Sequence, residues 1–128
     1  MAFKGDLDAL ILGVLEIEPL HGYEISKRIK RLSEHALDIG EGQLYPALHI
    51  LERSGHVTAT WVPIEGKPPR KVYEITESGR SNLVEKRREW TLFTAGVGAI
   101  LNPAKLAHMI RSANCNLKTA NLAGDHRG

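Results

Sequence analysis

Cysteine is almost missing from this chain of 128 residues, which contains only Cys115. A single cysteine excludes an internal disulfide and any zinc site built from several thiolates, as is usual in a reducing cytosol. Long apolar runs are missing as well, since the longest early one, Ala9 to Leu15, is far too short to span a bilayer. Acidic Glu16 and Glu18 follow it without a small-residue cleavage site, unlike a signal peptide. We therefore expect a cytoplasmic protein with no membrane association.

A strong excess of one charge is also absent, and aromatic residues are few. The chain has 17 Lys and Arg against 15 Asp and Glu, a net charge of +2, and 5% aromatic residues. This mildly basic balance does not by itself indicate nucleic-acid binding, so the positions of the charges matter more than their sum. Hydrophobic residues make up 42% of the chain, enough for the core of one globular domain.

Three helices are predicted in the first half of the chain. Apolar residues recur at helical spacing over Asp6–Glu16, where Asp6 is a candidate N-cap. A second helix is predicted over Gly22–Leu32. A third follows Gly40-Glu41-Gly42 and runs to about Ser54, with Pro46 near its first turn and Gly55 at its C-terminal end. The apolar stripe of the second helix comprises Ile25, Ile29 and Leu32.

A change of period after Gly55 predicts a two-stranded antiparallel β-hairpin. Residues 57–62 alternate as in a half-buried strand, with Trp61 on the same face as Val57, and residues 71–75 form the returning strand. The segment Pro63–Pro69 contains three prolines and a glycine, which favours a loop over a strand.

One long helix is predicted after the hairpin, from the candidate N-cap Thr76 to Leu101, before the Asn102-Pro103 break. Its apolar residues have coiled-coil spacing, and a two-fold dimer is the commonest way to bury such a stripe. We expect the first half to pack within the subunit and the second half to cross the dimer. The predicted dimerisation residues are Leu83, Trp90, Phe93, Val97, Ile100 and Leu101.

This order of elements predicts a mainly α fold, a winged helix-turn-helix with a long C-terminal dimerisation helix. The DNA-binding domain is expected over residues 1–76, the dimerisation helix and a short extension over 77–113, and a flexible tail over 114–128.

The third helix carries the residues most suited to reading DNA. Its apolar face has helical spacing and comprises Leu44, Ala47, Leu48 and Leu51. The opposite face then holds Gly42, Tyr45, Pro46, His49 and Arg53. Gln43 and His49 are suited to hydrogen bonds with base edges, and the Tyr45 hydroxyl to a backbone phosphate. The alternatives are a partly buried packing role for Tyr45 and a solvated surface position for His49.

The predicted wing is basic, with Lys67, Arg70 and Lys71 against the single acid Glu65. Such a loop can lie along phosphates or enter a minor groove, for which Arg70 is the best candidate. A solvated turn is the alternative.

Two segments resemble the PadR family of transcriptional regulators: Leu20–Ile25 (LHGYEI) and Gly42–Leu48 (GQLYPAL). Gly55, Tyr73 and Thr76 follow them in the order and spacing of that family. The resemblance covers roughly residues 7–101 and is to the shorter members. It implies a dimeric winged-helix repressor whose third helix reads the operator and whose last long helix forms the dimer. It also implies DNA contacts by Tyr45 beside Pro46 and by the wing residues Lys67, Arg70 and Lys71. Gln43 departs from the small hydroxyl residue frequent at that position.

Other functions receive less support from the sequence. No HExxH, GxSxG or phosphate-loop spacing is present, so we expect neither an enzyme nor a cofactor or metal site. Trp90 and Phe93 of two subunits would suit a small aromatic or hydrophobic effector, although such residues are more often plain dimer core. A winged helix that binds another protein without reading DNA is the remaining alternative.

Overall fold

The computed structural model describes residues 6–102 and residue 104. Their elements are α1 (Leu7–Leu15), β1 (Leu20–His21), α2 (Gly22–Leu32), α3 (Glu41–Arg53), β2 (Val57–Ile64), β3 (Lys67–Ile75) and α4 (Glu77–Leu101). The predicted tail over residues 114–128, and all but residue 104 of the predicted extension after Asn102, lie outside the described residues. The chain divides into two compact units, residues 1–87 and 88–128, with the boundary inside α4.

The core of the first unit is apolar and draws on every helix. Its buried helical residues recur at helical spacing, and Val57 and Ile75 cover them from the sheet. Leu32, predicted on the buried stripe of α2, is instead exposed, and Ile39 in the next segment is buried. The helical core residues with at most 3% exposure are Ile11, Leu12, Leu15, Ile25, Ile29, Leu44, Leu48, Leu51 and Leu83.

The predicted antiparallel hairpin is present as β2 and β3, but the sheet has a third strand and the order β1-β3-β2. The third strand is β1, in which Leu20 pairs with Tyr73 and His21 with Val72, both antiparallel. A strand of two residues is too short to show an alternating pattern, which is why the sequence did not reveal it.

The hairpin is also longer than predicted, because β2 and β3 extend into the proline-rich segment on both sides of the Glu65-Gly66 turn. Gly66 has a φ of +72°, a conformation that glycine adopts without strain. The strand register shifts between Val62 and Ile64, around Pro63, and β1 pairs with β3 only at residues 72 and 73. Pro68 and Pro69 therefore lie where β3 has a neighbour on one side only, a position at which strands accept proline.

Two predicted helix ends are confirmed and one is not. Gly55, with a φ of +84°, ends α3, and the next amide, of His56, donates to the Leu51 carbonyl at 2.9 Å. At the start of α4 the Gly79 amide donates to Thr76 Oγ1 at 3.0 Å. Asp6 does not cap α1 through its side chain, and its carboxylate instead accepts from Lys86 Nζ at 3.1 Å.

None of the helices formed by the described residues is long and apolar enough to cross a membrane.

Candidate nucleic-acid interface

The helix α3 is amphipathic in the predicted sense. Leu44, Leu48 and Leu51 are buried. The residues predicted for the opposite face are all exposed, and so is Gln43; the predicted residues are Gly42, Tyr45, Pro46, His49 and Arg53. The face that could meet a partner is therefore the one expected from the helical period.

Pro46 lies deeper in α3 than the sequence suggested. It was expected near the first turn, but it is the sixth residue of a helix that begins at Glu41. At that position proline removes the hydrogen bond that an amide would donate to the carbonyl four residues earlier, that of Gly42.

Tyr45 is exposed on one side and packed on the other. Its side chain is 42% exposed, and its ring lies against Gly22, the first residue of α2. Burial raises the pKa of the Tyr45 phenol above its usual value, with smaller contributions in the same direction from Glu41 and Tyr73. The Tyr45 hydroxyl therefore stays protonated and able to donate a hydrogen bond at neutral pH.

The three cations of the wing differ in their surroundings. Lys67 and Arg70 are exposed, and within residues 6–102 neither forms an ion pair. Lys71 is half-buried, with Nζ 3.3 Å from Glu52 Oε1 of α3 and 5.5 Å from the centre of the Tyr73 ring. The positive charge of Lys71 is already balanced within the protein, whereas those of Lys67 and Arg70 are not.

Two neighbouring surface pockets bring α3 and the wing together. An open pocket of about 470 Å³ is lined by residues of both elements and of β1; they include His21, Tyr45, Trp61, Arg70, Lys71 and Tyr73. His49 and Lys71, with Glu52 and Arg53, line a second pocket of about 320 Å³. Gln43, Pro46 and Lys67 line neither of the two. We call the combined area the α3–wing surface, formed by His21, Tyr45, His49, Trp61, Arg70 and Lys71.

His21 brings a titratable group to this surface. Burial lowers the pKa of its imidazole, and the nearby positive charge of Arg70 lowers it further. Lys27 acts in the same direction, whereas the carboxylate of Glu24 opposes it. His21 is therefore neutral at neutral pH and offers one donor and one acceptor.

The Transcriptional regulator PadR-like family is the family whose sequence profile matches this chain, over residues 11–85. That range contains α2, α3 and both long strands of the wing. The chain belongs to the PadR-like family. Its members are transcriptional regulators and not enzymes.

Relatives of this PadR-like chain agree with the assignment. The Transcriptional regulator Rv3488 of Mycobacterium tuberculosis is 39% identical over 59 residues, which cover 46% of this chain and 54% of the relative. A PadR family transcriptional regulator from Eggerthella lenta is 34% identical with a TM-score of 0.65, over 77% of this chain and 84% of that one. The structure of Bacillus subtilis PadR in complex with operator DNA is 30% identical with a TM-score of 0.57. It is matched over 62% of this chain and 45% of that chain.

Three residues of the α3–wing region were not among the DNA-binding residues predicted from the sequence of this PadR-like chain. Trp61 was predicted on the half-buried face of its strand, yet it is 63% exposed and lines the pocket with Tyr45. The alternation that predicted its face was correct, but the core ends before the strand does. His21 and Gly22 approach Tyr45 only through the tertiary fold, because β1 brings His21 beside Val72 of β3.

The residues predicted for dimerisation fall into two groups. Leu83 is buried in the core of the first unit, as expected for the first half of the long helix, and is therefore not available for a seam. In the second unit Trp90 and Phe93 form an edge-to-face pair with ring centres 5.4 Å apart, and Phe93 remains 60% exposed. Val97, Ile100 and Leu101 are exposed along the same stretch of helix.

Among the described residues, no group of three or more His, Cys, Asp or Glu side chains is arranged to hold a metal ion.

Proposed function

We propose that this PadR-like protein is a repressor that binds operator DNA as a homodimer through α3 and the wing, acting in the cytoplasm. The observation that carries the proposal is the α3–wing surface, where Tyr45 of the helix and Arg70 of the wing line one pocket. A helix beside a basic hairpin has the arrangement needed to enter a major groove while the hairpin lies on the flanking backbone.

The exposed face of α3 offers the chemistry of sequence reading. Gln43 and His49 can hydrogen-bond base edges in the major groove, where the four base pairs present different donors and acceptors. Pro46 adds an apolar surface that suits a thymine methyl group. The protonated hydroxyl of Tyr45 can donate to a phosphate oxygen, which fixes the register of the helix on the duplex.

The wing supplies the sequence-independent part of the affinity. Lys67 and Arg70 are exposed cations with no acidic partner among the described residues, and their binding to phosphates would release counterions. Lys71 contributes less in this proposal, because Glu52 already balances its charge.

Dimerisation through α4 is supported by its exposed apolar residues. Phe93, Val97, Ile100 and Leu101 are 38–81% exposed in the single chain, and water contact of that extent is unfavourable unless a partner covers them. A two-fold dimer presents two copies of α3, so the matching operator is a palindrome with half-sites about one helical turn apart.

An effector site at the dimer is the last part of the proposal. The perpendicular rings of Trp90 and Phe93 leave a large aromatic surface on Phe93, suited to a flat hydrophobic molecule. Binding there would release the operator if it changed the spacing of the two α3 helices.

The decisive experiment is selection of bound sequences from random duplex DNA, followed by binding measurements over a range of salt concentrations. We expect one enriched palindrome, and an affinity for it that falls linearly on a log–log plot against salt. The double variant Gln43→Ala/His49→Ala should lose the enrichment but keep the salt-dependent binding, whereas Ser81→Ala on α4 should keep both. A wild-type protein that enriches no sequence and shows no salt-dependent binding to DNA would favour a protein-binding winged helix.

A further inference from the structure

Gly22 lies directly against the Tyr45 ring. A Cβ atom added to Gly22 would lie 2.5 Å from Tyr45 Oη, 2.6 Å from Cε1 and 2.8 Å from Cζ. Atoms in van der Waals contact are normally about 3.5 to 4.0 Å apart, so any side chain at residue 22 would displace the ring.

The backbone gives no other reason for glycine at this position. Gly22 does not have the positive φ that distinguishes Gly55 and Gly66. It is the first residue of α2, and alanine is a better helix former than glycine. The close approach of the Tyr45 ring is thus the feature of the described structure that requires a residue without a side chain.

We propose that Gly22 is a positioning residue for DNA binding, which holds the Tyr45 ring against the start of α2 and so fixes the direction of its hydroxyl. This inference rests on the proposed function, in which Tyr45 contacts the DNA backbone. The His21-Gly22 pair itself is held by β1, which pairs with β3 of the wing. One short segment therefore connects the wing, the second helix and the tyrosine of the third.

Holding the Tyr45 ring in place before DNA binds increases the affinity for DNA. An exposed tyrosine that changes rotamer freely loses that freedom when it binds, and this loss weakens the complex. Tyr45 lies against Gly22 on one side, and Trp61, Arg70 and Tyr73 line the same pocket. The exposed part of the ring is thereby left for the partner.

The first test is Gly22→Ala, with Gly13→Ala as the matched control, because a Cβ at Gly13 would meet no atom within 4 Å. Tyr45 is partly exposed and can swing into solvent, so Gly22→Ala should fold and melt close to the wild type. Its operator affinity should fall at least tenfold, whereas Gly13→Ala should bind normally. Fluorine NMR of protein carrying 3-fluorotyrosine reports the ring without DNA; the chain has 3 tyrosines, and Tyr45→Phe identifies the signal. In Gly22→Ala that signal should move toward its position in the denatured protein.

The second test places Gly22→Ala in a Tyr45→Ala background. If Gly22 acts through the ring, the double variant should bind DNA as Tyr45→Ala alone does. A further tenfold loss in that background would overturn the proposal. If Gly22→Ala alone did not fold, the double variant should fold, and failure to do so would overturn the proposal equally.

The positioning role of Gly22 and the DNA contact of Tyr45 would fail in different ways. An unchanged fluorine signal together with unchanged operator affinity in Gly22→Ala would show that the ring does not need this glycine. A displaced signal combined with normal DNA binding by Tyr45→Ala would show instead that Tyr45 makes no DNA contact. That result would remove both the contact and the positioning role that depends on it, while the operator selection could still succeed.

Discussion

The Nζ atom of Lys71 lies 3.3 Å from Oε1 of Glu52, so an ion pair joins the base of the wing to the last turn of α3. The side chain of Glu52 also lines the pocket beside His49 and Arg53. A carboxylate at this position balances a wing cation and lies close to the area where phosphates would bind. The pair therefore connects the wing to α3 and at the same time limits the electrostatic part of the DNA affinity.

Neutralising Glu52 should strengthen DNA binding. At about 8 Å in water one charge pair is worth about 0.5 kcal/mol before salt screening, so Glu52→Gln in a dimer should raise the affinity roughly two- to fivefold at low salt. The melting temperature should change little, because an ion pair this exposed contributes about 0–1 kcal/mol. Fluorescence anisotropy measures the affinity, and Glu89→Gln on α4 is the control. Weaker binding by Glu52→Gln would mean that the ion pair serves mainly to hold the wing in place.

The exposed wing cations should act on specific and random DNA alike. Lys67→Ala and Arg70→Ala should each weaken both kinds of binding and flatten the salt dependence by about one unit of slope per lost phosphate contact. Arg80→Ala, an exposed cation on α4, should leave the slope unchanged. If Arg70→Ala weakened binding only at A·T-rich sites, Arg70 would be a minor-groove reader and not a phosphate contact.

Apolar residues near the end of α4 should control the oligomeric state. Val97→Glu and Ile100→Glu would place charges in the proposed seam, where burial without a partner is strongly unfavourable, so both should sediment as monomers. Ile17→Glu is the matched control, because Ile17 is also exposed but lies in the first unit. Unchanged dimers from both α4 variants would exclude this seam.

How far the sequence predicts this molecule depends on whether a feature is local. The face of α3 follows from a helical period that Leu44, Leu48 and Leu51 display within a few residues, and the cap by Thr76 follows from its position before the helix. Strand β1 has no such period because it is two residues long, and it forms only when β3 is present to pair with it.

The pocket shared by Tyr45 and Trp61 could not be predicted from the sequence, because it too depends on packing between residues that are distant in the chain. The side on which Trp61 lies was predictable from alternation, but its exposure depends on where the core ends, which no local pattern records. The contact of Gly22 with Tyr45 joins residues from two helices, and only the packing of α2 against α3 reveals it.

DNA binding should strengthen as the pH falls through the titration of His21. Burial and Arg70 hold the pKa of this histidine below its usual value in the unbound protein, and a neighbouring phosphate would raise it by stabilising the imidazolium. The complex would then take up protons, so its affinity should rise from pH 7.5 to pH 5.5, by roughly tenfold per unit of pKa difference in each subunit. The folding stability of the unbound protein should change in the opposite direction. As the pH falls below about 6.5, the unfolded chain binds the His21 proton more tightly than the folded protein does, so the free energy of unfolding decreases.

His21→Gln separates this effect from that of the other histidines. The variant should retain the wild-type affinity near pH 7.5 within a few-fold and lose part of the increase at pH 5.5. His35→Gln, an exposed histidine outside the α3–wing surface, is the control. An identical pH profile for His21→Gln and the wild type would mean that no phosphate approaches this imidazole.

Trp61 should make an apolar, uncharged contact with the DNA. Its indole is 63% exposed in the pocket that it shares with Tyr45 and Arg70, so a sugar or base near Arg70 would also cover the ring. Aromatic side chains contribute large contact areas at interfaces, and Trp61→Ala should weaken operator binding at least tenfold in the dimer. Unlike Arg70→Ala, Trp61→Ala should leave the salt slope unchanged, because the tryptophan contact releases no counterion.

The chain has 2 tryptophans, so in a Trp90→Phe background the fluorescence of Trp61 alone reports the contact, and saturating operator should shift and quench it. Leu92→Ala, which removes an equally exposed apolar side chain from α4, serves as the control for affinity. Unchanged emission at saturation, together with normal affinity of Trp61→Ala, would exclude this tryptophan from the interface and restrict the wing contact to its cations.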